Sequence, residues 1–312
     1  MYFDTMWMST SGTRLKPLLR TVEQALLWAG EELVGTSEAV LAARMLLAHV
    51  LDCTPAGLFA HPERALSGPQ ERAYRTLVAR RAQHEPVAYL LGHRAFLDLD
   101  LLVDRRALIP RPETEELVEL AAEAAGHWPS PRLADIGTGS GAIAIGLALR
   151  LPEARIWATD RSADALVLAQ LNAQICGVSA RIAFLHGDLA APLSEPVEVI
   201  VANLPYVSEA EFAALPPDIR LYEPQQALVA GPDGLEAIRA LLDTAGPHMA
   251  HDGVLLLEIG AGQGAAVATL ARHAFPDAQI DVIADDAHLD RIVHVQTFTG
   301  NHESHEWYEW HE

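Results

Sequence analysis

Seven residues, Asp135-Ile-Gly-Thr-Gly-Ser-Gly141, constrain the fold more than any other stretch of the chain. They close a short strand-like run at 132–136 and lead into an apolar segment with helical spacing at 141–150. Glycine at alternate positions lets a backbone approach a ligand closely and turn from a strand into a helix. A second apolar run, 154–159, ends at Asp160, 19 residues beyond Gly141. A carboxylate at that point takes both hydroxyls of a ribose. Loop and acid together predict a nucleoside-binding half-fold.

The rest of the C-terminal part repeats the alternation. Strands are expected at 181–185, 198–202, 253–259, 279–283 and 291–297, with helices at 141–150, 163–175, 234–249 and 264–274. Strands alternating with helices imply a mostly parallel sheet covered on both faces. In such sheets ligands bind beyond the carboxyl ends of the strands, where the strand order reverses.

One of those strand ends reads Val199-Ile-Val-Ala-Asn-Leu-Pro-Tyr206. Pro205 cannot donate to a sheet ladder and biases Leu204 towards extended backbone, so the chain leaves the sheet as a stiff corner. Asn203, Leu204, Pro205 and Tyr206 present an amide, carbonyls and a ring. Such a corner can accept both protons of a planar NH2 group. A plain turn after a strand would use the same residues.

The loop also satisfies G-x-G-x-x-G/A through Gly137-Thr-Gly-Ser-Gly-Ala142, which admits a dinucleotide. Asp135 weighs against that. Beside a pyrophosphate, two anions repel by ~4 kcal/mol at 4 Å and an intermediate effective dielectric. S-adenosylmethionine carries a sulfonium and an ammonium, which an acid suits. Asp135 could instead only cap the loop backbone. Asp188, in Phe184-Leu-His-Gly-Asp-Leu189, would accept an adenine amino group with Leu189 packed on the base, or serve as a turn aspartate.

Upstream, residues 16–85 read as a small helical domain. Leu18, Leu19, Val22, Leu26 and Leu27 recur at helical spacing, Ser37 resembles an N-cap for 39–51, and 70–81 forms a further amphipathic segment. Arg72, Arg75, Arg80 and Arg81 form either a docking face or a solvated surface. At 86–115 the alternation of Leu97, Leu99, Leu101 and Val103 with aspartates predicts a hairpin, followed by a rigid Pro-Arg-Pro segment and a helix from Glu116 to about Ala125. The alternating strand-and-helix region is expected to span 116–300, and the acidic, aromatic tail 301–312 is expected to be disordered.

The 312 residues leave room for two domains, and 22 Lys plus Arg against 42 Asp plus Glu give a net charge of -20. That balance opposes sequence-independent nucleic-acid binding, which needs a cationic surface. Cys53 and Cys176 make neither a disulfide framework nor a zinc site. The N-terminus has no cationic start followed by an apolar run, and no stretch is long enough to span a membrane. A soluble cytoplasmic protein is expected.

Several segments together resemble the release-factor glutamine methyltransferases. They are Leu-Leu-Ala-His-Val-Leu (46–51), Arg-Arg-Ala-Gln-His-Glu-Pro-Val-Ala-Tyr (80–89), Leu-Leu-Gly-His-Arg-Ala-Phe (90–96), Leu-Ile-Pro-Arg-Pro-Glu-Thr-Glu (108–115), Asp-Ile-Gly-Thr-Gly-Ser-Gly (135–141), Tyr-Glu-Pro-Gln-Gln-Ala-Leu (222–228), Gly-Pro-Asp-Gly-Leu (231–235) and Leu-Glu-Ile-Gly (257–260). The resemblance implies an α/β class I S-adenosylmethionine-dependent methyltransferase, Rossmann-like and seven-stranded, with an N-terminal helical domain and a β-hairpin linker. It implies that Gly137, Thr138, Gly139, Ser140, Gly141, Asp160, Asp188, Leu189 and Asn203 hold S-adenosyl-L-methionine. Asn203, Leu204, Pro205 and Tyr206 would hold a substrate glutamine, Phe96 would close its pocket, and Arg111 and Thr114 would line the cofactor site. The implied substrate is the Gly-Gly-Gln loop of bacterial class 1 release factors. Leu204 departs from the family's usual proline. Asn-Leu-Pro-Tyr is the spelling common in ribosomal RNA adenine dimethyltransferases, so an adenine-N6 methyltransferase acting on RNA or DNA stays open. So do the sister group that methylates a ribosomal protein and a non-enzymatic cofactor-binding adaptor.

Overall fold

A computed structural model describes residues 18–298. The chain divides after Leu91 into two compact units. The expected start at Lys16 and the tail 301–312 lie outside the described residues.

Among the described residues the first unit holds five helices: α1 (Val22–Glu32), α2 (Ala39–Leu51), α3 (Pro55–Ala60), α4 (Gly68–Arg81) and α5 (Val87–Leu91). Helix α4 starts on a reciprocal capping box between Ser67 and Gln70, which satisfies two otherwise unpaired backbone donors. The core joins Val22, Ala25 and Trp28 of α1 to Leu46 and Leu47 of α2 and Tyr74 and Val78 of α4. Tyr74 is fully buried and its hydroxyl donates to the Ala43 carbonyl at 3.0 Å.

Three expectations for this unit change. Ser37 is not the cap of α2: Glu38 precedes that helix in the left-handed region, without a side-chain cap. Ser37 is taken instead by Arg81, whose Nη2 donates to its Oγ at 2.6 Å. Of the four arginines, Arg75 pairs with Glu71 and Arg80 with Glu85, while Arg81 is buried, so they form no single solvated face. Leu18, which precedes α1, and Leu27 are exposed, and α1 turns Val22, Ala25, Trp28 and Ala29 inward.

The second unit begins with a hairpin, β1 (His93–Phe96) and β2 (Leu99–Leu102), then α6 (Glu113–Ala125). From there the chain alternates: β3 (Arg132–Ile136), α7 (Ala142–Arg150), β4 (Arg155–Asp160), α8 (Ala163–Ile175), β5 (Ile182–His186) and β6 (Val197–Ala202). Two short helices, α9 (Glu209–Ala214) and α10 (Pro217–Tyr222), precede α11 (Glu236–Ala245), β7 (Met249–Glu258), α12 (Gly264–Ala274), β8 (Gln279–Ala284) and β9 (Asp290–Gln296). The seven-stranded sheet runs β5-β4-β3-β6-β7-β9-β8, and only β9 breaks the parallel direction, pairing antiparallel with both neighbours. Alternate residues feed opposite faces. Val199 and Val201 pack with Leu117, Val118 and Leu147, whereas Ile200 and Ala202 pack with Leu241, Leu242 and Val267.

Strand order reverses between β3 and β6, where ligands collect in such sheets. The register makes that point a site. Ile136 is level with Thr159 and Ala202, and Ala202 is level with Leu257. The next residues, Gly137, Asp160, Asn203 and Glu258, therefore stand side by side at the strand ends.

Candidate active site

A cavity of about 410 Å³ opens beyond these strand ends. Its wall includes Gly137 to Ser140, Asp160, Asp188, Leu189 and Asn203 to Pro205. The starts of α7 and α8 and residues within 106–114 and 224–240 complete it.

The glycine loop is pinned from below. The Gly137 and Thr138 amides both donate to the Thr159 carbonyl at 2.9 Å, and the Gly139 amide donates to Asp160 Oδ2 at 2.9 Å. Asp160 Oδ1 accepts from the Ser162 amide at 2.8 Å, so each oxygen keeps one lone pair for a ligand. Gly137 is left-handed at φ 76°, and a Cβ there would meet the Leu204 side chain at 3.0 Å. Leu204, buried, is thus packed against the loop it faces.

Gly141 has a different task from the one expected of it. It does not line the cavity. A Cβ would lie 3.0 Å from Ala169 and 3.1 Å from Ile145, so its bareness lets α7 and α8 pack closely. Asp135 does not line the cavity either. Fully buried, its Oδ2 accepts from the Thr138 hydroxyl at 2.6 Å and from the Ala144 amide at 3.1 Å. It caps the loop and the first turn of α7. Burial lifts its carboxyl to about 7, against those two hydrogen bonds.

Leu189 sits at φ 47°, a costly conformation for a branched side chain, and the Thr159 hydroxyl holds its carbonyl at 2.9 Å. Strain of this kind persists where a fixed geometry is needed, and here it presents Leu189 and Asp188 to the cavity.

Two expected residues are elsewhere. Phe96, 1% exposed, lies in the core with Leu101 and Leu117 and lines no part of the cavity. Tyr206 is not in the cavity wall either. Its hydroxyl faces Glu258 Oε1 at 3.5 Å, and burial raises it to about 12.

Two acids emerge that residue patterns alone did not assign. Glu223 is buried; its Oε2 accepts from the Ile109 amide at 3.0 Å and its Oε1 from Arg111 Nη2 at 2.6 Å. It ties Tyr-Glu-Pro-Gln-Gln to Ile-Pro-Arg-Pro, two segments that wall the cavity. Glu258, also buried, accepts from the Thr114 hydroxyl at 2.7 Å, and Thr114 Oγ1 accepts from Asn203 Nδ2 at 3.0 Å. Burial raises the Glu258 carboxyl. Both acids stand in segments marked by the resemblance, but an acid between apolar neighbours carries no local signal of its target.

Sheet order, switch-point cavity and glycine cradle define a class I methyltransferase. The comparisons agree and go further. Residues 24–92 match the PrmC N-terminal domain and residues 115–215 the methyltransferase small domain. The chain is 43% identical over 251 residues to a release factor glutamine methyltransferase of Xylella fastidiosa, strain Temecula1, covering 80% of this chain and 89% of that protein. It is 42% identical over 274 residues to that of Moorella thermoacetica, covering 87% and 96%. Among solved structures, the hMettl16 catalytic domain in complex with MAT2A 3′UTR hairpin 1 shares the fold at TM-score 0.55 and 17% identity, over 72% of this chain and 82% of that one. The chain belongs to the release factor glutamine methyltransferases.

Proposed function

We propose that this chain transfers a methyl group from S-adenosyl-L-methionine to the side-chain amide nitrogen of the glutamine in the Gly-Gly-Gln loop of class 1 release factors. One observation carries the reading: Asn203, at the proline-braced end of β6, shares one cavity with the glycine loop, Asp160 and Asp188.

The cavity chemistry supports the cofactor. The first-turn amide of Ala144 already donates to Asp135, so the end of α7 that a pyrophosphate would occupy is capped by an acid. Wall arginines are engaged as well: Arg106 with Asp104, Arg111 with Glu223, and Arg161 with the Gln226 carbonyl. Asp160 and Asp188 then set the local charge, which suits a cationic ligand. The volume lies within the range of small-molecule sites. When bound, S-adenosylmethionine supplies an electrophilic methyl on a sulfonium and a neutral thioether leaving group.

The chain's own residues do the rest. An amide nitrogen is a weak nucleophile because its lone pair is delocalised. The Asn203 side-chain oxygen and the Leu204 carbonyl accept its two protons, which favours tetrahedral nitrogen and fixes its line of attack. Pro205 stiffens the corner. The loop from Gly137 to Ser140 would hold the donor, with Asp160 to take the ribose hydroxyls and Asp188 and Leu189 to take the adenine. The nitrogen's proton passes to water after transfer.

Labelled methyl transfer tests the reading. Label is expected in a purified release factor and not in RNA or DNA. Asn203→Ala should lose turnover while retaining most cofactor binding. Label entering nucleic acid instead would favour the adenine reading, and wild-type turnover in Asn203→Ala would rule the scheme out.

A further inference from the structure

We infer that Thr114 and Glu258 form a hydrogen-bond chain of fixed polarity that sets which way the Asn203 amide faces, making both positioning residues for the transfer. The inference rests on the function proposed above.

The argument begins with proton counting. A hydroxyl has one proton to give. An ionised Glu258 can only accept, so at 2.7 Å the Thr114 proton goes to the carboxylate. Thr114 Oγ1 can then only accept from its other neighbour. That neighbour is the Asn203 side chain at 3.0 Å, so the amide must turn its NH2 group towards Thr114. The amide oxygen is left as the group available to a ligand.

An asparagine side chain is nearly symmetric in shape, and packing alone distinguishes its two ends poorly. A flip would present donors where the substrate amide also presents donors. Polarity must therefore come from a neighbour that cannot itself reverse. Glu258 in its ionised form meets that need, because a carboxylate has no proton to give. It is 1% exposed, stands at the end of β7 and is level with Asn203 through the pairing of Leu257 with Ala202. Thr114, in the first turn of α6 and 4% exposed, is the intermediate. Its segment, Arg-Pro-Glu-Thr-Glu, thereby gains a role separate from capping α6, whose N-cap is Pro112 with no side-chain bond.

The test uses the full-length chain with a release factor and S-adenosylmethionine. Wild-type transfer to the factor's glutamine is measured first; its failure would overturn the function, whatever the variants do. Given wild-type transfer, Thr114→Val should lower kcat roughly 10- to 100-fold, the scale of a misplaced reacting group. Cofactor affinity by calorimetry should change by less than about threefold, since the hydroxyl is spent on protein partners. Thr114→Ser keeps the polarity and should recover most of the loss. Glu258→Gln combined with Thr114→Val should be no slower than Thr114→Val alone, because both act through one amide. A Thr114→Val enzyme turning over at the wild-type rate would overturn the chain. So would a Thr114→Ser enzyme as slow as Thr114→Val.

Discussion

A carboxylate sealed inside the protein makes the cost of its own charge measurable. Asp135 titrates near 7 in the fold against 3.8 for the free side chain, chiefly through burial, and its Oδ1 has no partner among the described residues. The folded state therefore holds a proton that the unfolded state has lost between those two values. Its contribution to stability is fully present below about 3.8 and is lost as pH rises through about 7. Asp135→Asn keeps an oxygen for Thr138 and Ala144 but cannot ionise. Thermal melts should show the variant gaining on the wild type as pH rises across that window. A constant difference would mean that Asp135 does not titrate there. Residue types at strand ends were readable without coordinates: Asp160, Asp188 and Asn203 all reach the cavity. What side chains do after leaving the strand was not. Phe96 turns to the core and Tyr206 to Glu258, because each answers to neighbours distant in sequence, whereas the loop cap made by Asp135 is local and was one of its two readings.

At the scale of elements, Asn172 joins three of them. From α8 its side chain accepts from the Leu102 amide at 2.8 Å and donates to the carbonyls of Leu102 at 3.0 Å and Ser140 at 2.9 Å. One amide thus fastens the hairpin and the back of the glycine loop to the helix. Asn172→Leu strands all three backbone groups and should lower unfolding stability by about 2–4 kcal/mol. Urea denaturation checks this: the midpoint should fall with an unchanged slope, and an unaltered midpoint would contradict the assignment. The long strands and helices from 132 onwards follow their hydrophobic pattern closely, since burial on both faces writes them as apolar runs. Six-residue helices do not. In α9 and α10 no residue is buried, so no periodic apolar face announces them. Strand order was equally silent: β9 lies between β7 and β8, a pairing set by packing across the sheet.

For the whole molecule, the net charge of -20 bears on how a substrate arrives rather than on the fold. An acidic enzyme meeting a basic patch on its substrate gains encounter rate at low salt. Raising ionic strength should therefore lower kcat/KM for the release factor through KM, with little change in cofactor affinity. A salt-independent KM would show that charge plays no part in docking. Among the described residues no helix is long and apolar enough to cross a membrane. The family was legible before the coordinates because its motifs are local spellings; the links between them, Glu223 to Arg111 and Glu258 to Thr114, are not. All of this converges on one act, methyl transfer to a side-chain amide. Mass spectrometry of a release factor incubated with the chain and S-adenosylmethionine measures it directly. The account predicts a Gly-Gly-Gln peptide heavier by one methylene group, with fragment ions placing the gain on the glutamine side chain. An unmodified peptide, or a methyl on any other residue, would contradict it.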